Sequence, residues 1–170
     1  NDRAFCHLLP QDAFIRRHIT PDDHLIVSVG GNDIALAPVL ATVVNIIPLL
    51  CCTPIALIER GVACPPNLRV DCGCCGCGLP GCISGLCGCP PGLGYFADLS
   101  GNRVENYVKR ILCRARPKKV IVCMIYYLDV NGRGSWADCF LQSLCYNCAP
   151  SRLQSAIRKV FELATRRIRI

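Results

Sequence analysis

Apolar runs alternate with polar punctuation along this chain, and the period of each run points to the element it builds. Residues Pro10–His18 (PQDAFIRRH) open on a proline, which the first helical position tolerates, and predict a short helix with Phe14 and Ile15 facing inward. Thr20-Pro21-Asp22-Asp23 is a turn. His24–Val29 (HLIVSV) is apolar and β-rich without alternation, the pattern of a strand covered on both faces in a parallel sheet. Gly30-Gly31-Asn32-Asp33 follows, and Ile34-Ala35-Leu36-Ala37 begins an apolar helical stretch.

Residues Ile34–Ile58 carry no charge over 25 positions, long enough to span a bilayer. Pro38, Pro48, Pro54 and Asn45 interrupt the stretch, so a buried helix with a kinked apolar continuation is expected instead. Residues 61–94 hold eight of the sixteen cysteines and nine of the fourteen glycines without periodicity, and read as a low-complexity insertion. Ser100 or Asn102 is then expected to cap a helix with Val104, Tyr107, Val108, Ile111 and Leu112 on its apolar face. Glu105 and Lys109 pair on its wet side.

Lys119–Leu128 (KVIVCMIYYL) predicts a second doubly apolar strand, ending in Asp129-Val130-Asn131-Gly132. A helix is expected around Trp136–Cys145, and a clearer one from Ser151 with Leu153, Ile157, Val160, Phe161 and Ala164 on one face. The last residues, Arg166–Ile170, are basic and β-branched, like the start of a strand. This order of elements predicts one α/β domain over residues 1–170, three-layered with a mainly parallel sheet, interrupted by the Cys/Gly-rich segment 61–94. The opening on Asn1 without a methionine and the close on a strand-like run lead us to expect a partial sequence, incomplete at both ends.

Charge adds a second pattern. The net charge of +7 is divided unevenly: residues 103–170 hold fourteen Lys/Arg against four Asp/Glu, a net of +10, and the first 102 carry −3. Such a half can meet nucleic acid or an anionic membrane. A solvated helix face is the preferred reading of these charges, and no nucleic-acid partner is expected.

The candidate chemistry sits at the end of the first strand. In open α/β sheets, reacting groups gather where loops leave the carboxyl ends of strands. Gly30 and Gly31 permit a tight turn with uncovered N–H groups, Asn32 offers two neutral amide donors, and Asp33 can cap the helix that follows. Fixed neutral donors of this kind suit an oxyanion hole, where negative charge grows during acyl transfer. Without its context, the same turn is only a loop with an Asn cap. Leu25-Ile26-Val27-Ser28-Val29-Gly30-Gly31-Asn32-Asp33 resembles the strand-plus-GxND block of the SGNH hydrolases, the superfamily of GDSL-like lipases and esterases.

The resemblance implies a flavodoxin-like fold and hydrolysis of a carboxylic ester by a serine nucleophile, without metal or organic cofactor. Asn32 would take the oxyanion-donor role, and Gly30 matches the motif glycine without having to be the donor glycine. The substrate would be a small-molecule or lipid ester. The family also requires a Ser in a Gly-Asp-Ser block upstream and an Asp-x-x-His pair downstream, where His is the general base. Neither is present here: His7, His18 and His24 all precede Asn32, and Asp129 and Asp138 have no His three residues on. Nucleophile and base are therefore expected on flanks outside Asn1–Ile170, the rival being a non-catalytic homologue. The dinucleotide and phosphate-loop alternatives lack G-x-G-x-x-G and Gly-Lys-Ser/Thr.

The cysteines leave several alternatives open. Cys72/Cys75 and Cys74/Cys77 are overlapping C-x-x-C pairs, and Cys145/Cys148 is a third. Cys72, Cys74, Cys75 and Cys77 could together hold zinc, but overlapping pairs define no unique ligand set, and an unspecialised loop is preferred. Disulfides and S-acylation, which would bring the apolar 46–58 stretch to a membrane surface, are the other readings. Cys6, Cys113 and Cys123 are expected to be core thiols.

Overall fold

The computed structural model of the chain describes residues 8–28, 40–63, 88–125, 142, 146 and 149–170. Helix α1 spans Pro10–His18 and strand β1 His24–Ser28. Helix α2 covers Leu40–Ile47, continues as a π-helical turn over Pro48–Cys52, and is followed by α3 at Ile55–Glu59. The short strands β2 (Val62–Ala63) and β3 (Gly88–Cys89) pair antiparallel. Helix α4 runs Leu93–Asp98, passes through a π-helical segment at Leu99–Arg103, and continues as α5 over Val104–Ile111. Strand β4 (Lys119–Cys123), helix α6 (Pro150–Leu163) and a 3-10 turn (Thr165–Arg167) complete the described elements. The expected helix start at Ile34, the body of the Cys/Gly-rich segment and the far end of the second strand lie outside the described residues. So does most of the expected helix around Trp136–Cys145.

Strands β1 and β4 pair in parallel from His24↔Lys119 to Ser28↔Cys123. Mixed helix and strand around a small parallel sheet is therefore the architecture of the described chain. One face of that sheet is closed by α1 and α5: Val27 packs with Val104, Val108, Ile111 and Leu112, flanked by Leu8, Ile15, Ile19, Tyr107 and Ile168. Among the described residues the other face is open, with Ile26 65% and Ile121 39% exposed. The unbroken apolar runs pointed to two covered faces, yet burial alternates residue by residue along both strands.

A second core joins Ile46, Leu49, Leu50, Ile58, Leu93, Tyr95, Phe96 and Leu99 to Ala156 and Val160 of α6. The kinked apolar stretch expected at 46–58 lies here. Its break at Thr53-Pro54 is chemically satisfied, because Thr53 Oγ1 donates to the Pro48 carbonyl at 2.9 Å. The Arg152 guanidinium donates to the carbonyls of Leu50 and Cys51, each at 3.1 Å, supplying partners that the ended helix lacks. None of the described helices is long and apolar enough to cross a membrane.

Several expectations change once the elements pack. The helix expected from Ser100 or Asn102 begins seven or more residues earlier, at Leu93. Gly101 does not interrupt it because Ala164 packs against the bare glycine; a Cβ there would lie 2.9 Å from that of Ala164. The ends of the segment read as an insertion form the β2/β3 pair, and Leu93 and Gly94 are buried. Phe14 is exposed instead of inward, with Ile15 alone of the two reaching the core. Phe161 is likewise exposed, and α6 meets the second core through Ala156 and Val160. Arg166–Ile170 does not begin a strand: Thr165 Oγ1 donates to the Ser100 carbonyl and the Arg169 N–H to Glu105 Oε2, so the tail lies along α5 and Ile168 enters the core.

Asp12 ties α1 to α5. It is buried, its Oδ2 accepting from the Leu9 N–H at 2.9 Å and its Oδ1 from the Tyr107 hydroxyl at 2.8 Å. Burial, and then the hydrogen bond and charge of Asp12, raise the Tyr107 pKa well above its ordinary value. Tyr107→Phe is expected to cost about 1–3 kcal/mol, since one buried carboxylate oxygen loses its donor. A group whose pKa is raised on folding contributes stability that is complete below the unfolded value, about 10 for tyrosine. That contribution declines as pH rises above it, because the unfolded chain ionises first. Urea titrations from neutral to alkaline pH check both points: the variant should start lower and lose less between neutral and strongly alkaline pH.

Candidate active site

The parallel pair defines two edges. Its carboxyl edge is formed by Ser28 and Cys123, which are register partners. Both side chains belong to the open face, with Ile26/Ile121 and His24/Lys119 behind them in the same alternation. Gly30 follows the last residue of β1 by two positions. Gly30, Asn32 and Asp33 themselves lie outside the described residues, as do Cys72, Cys74, Cys75 and Cys77.

The described histidines stand elsewhere. His24 opens β1, four residues from Ser28, and at about 3.3 Å per residue this is roughly 13 Å from the carboxyl edge. His18 ends α1, where its Nδ1 lies 2.9 Å from the Phe14 carbonyl and its ring stacks on Phe14 with centroids 4.1 Å apart. The geometry thus separates the imidazoles from the Ser28/Cys123 edge and brings no base to a hydroxyl or thiol there among the described residues.

Two of the expected core thiols lie at the surface. Cys113 is exposed in the turn after α5, and Cys123 is exposed because it lies on the open sheet face. Cys6 lies outside the described residues. Cys51 is half-buried, and Cys52 and Cys89 are exposed. No group of three or more His, Cys, Asp or Glu side chains suited to a metal ion occurs among the described residues.

Polar groups that sequence reading passed over hold the scaffold instead. The Thr42 and Tyr95 hydroxyls share a buried hydrogen bond of 2.8 Å between α2 and α4. Arg103 bridges Asp98 at 3.0 Å and lies over the Tyr95 ring, 5.6 Å from its centre. The Asp12 link to Tyr107 had one legible half: an Asp three positions after Leu9, where a carboxylate can reach back to the helix-entry N–H. Its other half spans 95 residues and carries no local signal. No protein-family model, no curated protein and no solved structure matches this chain.

Proposed function

We propose that this chain is part of a serine ester hydrolase of the SGNH type, with the three-layer flavodoxin-like fold of that superfamily. The observation that carries the reading is the position of Gly30-Gly31-Asn32-Asp33. The segment comes directly after the carboxyl end of a strand paired in parallel, the edge where open α/β sheets hold their ligands. Asn32 would donate its side-chain amide to the oxyanion that forms when a serine attacks the ester carbonyl. A histidine would take the serine proton and return it to the leaving alcohol, and water would then release the acyl group. The serine and the Asp-x-x-His pair must come from outside Asn1–Ile170. The substrate class is a small-molecule or lipid carboxylic ester.

The test uses a form of the protein extended through its flanking coding sequence, assayed on p-nitrophenyl esters of increasing acyl length. Asn32→Ala is expected to lower kcat by about 10²–10³-fold, the usual effect of removing one oxyanion donor, with an unchanged melting temperature. Unaltered turnover in that variant, or flanks without Gly-Asp-Ser and Asp-x-x-His, would overturn the reading.

A further inference from the structure

We propose that the amino edge of the β1/β4 sheet binds single-stranded nucleic acid through a basic rim and one stacking ring. The topology makes this edge. Both parallel strands begin there, at the paired residues His24 and Lys119, and each is entered from a helix that ends at the same edge, α1 and α5 respectively. The two entering loops are bonded side by side, the Lys118 N–H donating to the Asp23 carbonyl at 2.8 Å. Exposed cations from segments about a hundred residues apart therefore share one rim: Arg17 from α1, Arg114, Arg116 and Lys118 from the second loop, and Lys119 from β4.

The bland role for such cations is to offset the negative ends of helix dipoles. It accounts for Arg17, whose Nε donates to the Ala13 carbonyl. It does not account for Arg114, Arg116, Lys118 and Lys119, which lie beyond the last turn of α5. Among the described residues the acids at the rim are Asp22 and Asp23. Asp23 is engaged locally: its Oδ2 accepts from the Thr20 N–H at 2.7 Å and hydroxyl at 2.8 Å, bonds that hold its carboxyl below the usual pKa range. The rim thus keeps an excess of positive charge suited to a polyanion.

The ring is Phe14. It is 57% exposed, an unusual position for a phenylalanine, and is propped against the His18 ring at an interplanar angle of 27°. An aromatic face held flat beside cations is what unpaired bases stack on. The ring comes from one end of the chain and the cations at 114–119 from the other, so only the fold brings the two to one edge. A membrane surface fits less well: the described solvent side of α1 between Pro10 and His18 offers Phe14 as its one large apolar side chain, where a membrane-lying helix needs an apolar face.

Fluorescence anisotropy with a labelled oligothymidylate of about 20 nucleotides, at about 50 and 200 mM salt, tests the proposal. Binding should weaken with salt, and the Arg114→Gln/Arg116→Gln/Lys118→Gln variant should lower the log–log salt slope by about 2, at roughly 0.7 per phosphate contact. Phe14→Ala and Phe14→Leu should each weaken binding by about tenfold, the magnitude of one lost base stack, whereas Phe14→Trp retains it. Arg60→Gln, a charge removed at the exposed turn after α3, should change little. Circular dichroism confirms that each variant is folded. No binding, an unchanged slope in the triple variant, full affinity in Phe14→Leu, or binding only to phosphatidylserine vesicles would each overturn it.

Discussion

Gly92→Ala is expected to destabilise the protein by about 3 kcal/mol or more, enough to remove much of the stability of an ordinary domain. Two costs add at this position. Gly92 holds φ at +90°, in the left-handed region where a side chain is strained by about 1–3 kcal/mol. A Cβ there would also stand 2.1 Å from the Asn45 carbonyl oxygen, so the α2 backbone itself would have to move. That movement would open the buried Thr42–Tyr95 hydrogen bond, since the residue precedes α4 and Asn45 belongs to α2. Thermal melts followed by circular dichroism check this, with a fall of several degrees at the least expected for a chain of this length. A melting point within a degree of the parent would mean that α2 and α4 do not approach as described.

Ile111→Ala tests the other core. Ile111 is 2% exposed at the last turn of α5, packed among Val27, Val104, Val108 and Leu112. Deleting three carbons from a site closed by both the sheet and α1 leaves a cavity, and the expected loss is about 2–5 kcal/mol in urea denaturation. Ile121→Ala provides the contrast. It removes the same side chain from the more exposed face of the same sheet, where Ile121 is 39% exposed, and should cost only about 1 kcal/mol. Equal losses in the two variants would show that the second face is covered as firmly as the first. Since Gly92 and Ile111 adjoin separate cores, their effects should add in the double variant.

Much of the scaffold was legible because its signals are local. The helical spacing of Val104, Val108, Ile111 and Leu112 marked the buried face of α5 before any packing was known, and those four residues do line the core. The apolar runs at His24 and Lys119 marked two strands, and strands joined by long helical connections are naturally parallel. Where reading failed, two elements competed for the same residues. Phe14 and Ile15 are adjacent on a helix, and a turn of about 100° between them means that only one can face a flat sheet. Ser100-Gly101-Asn102 resembles a helix start, yet tertiary contact with Ala164 carries the helix through it. The strand-like tail at Arg166–Ile170 had β-branched composition, but Glu105 and Ser100 on the neighbouring helical stretch offered its polar groups nearer partners.

The candidate site divides along the same line. Composition and order alone determine that Gly30-Gly31-Asn32-Asp33 follows an apolar strand, that every histidine precedes Asn32, and that positive charge is concentrated after residue 103. Those facts reside in single residues and their neighbours in the chain. Which strand lies beside β1, which sheet face stays open, and which distant segments share the amino edge were decided only by tertiary structure. Such choices depend on contacts between residues about a hundred positions apart, such as Asp12 with Tyr107 or Asp23 with Lys118. Each of those bonds costs the closure of a long loop and is repaid only when both surrounding surfaces are already packed, so no short stretch of sequence can announce it.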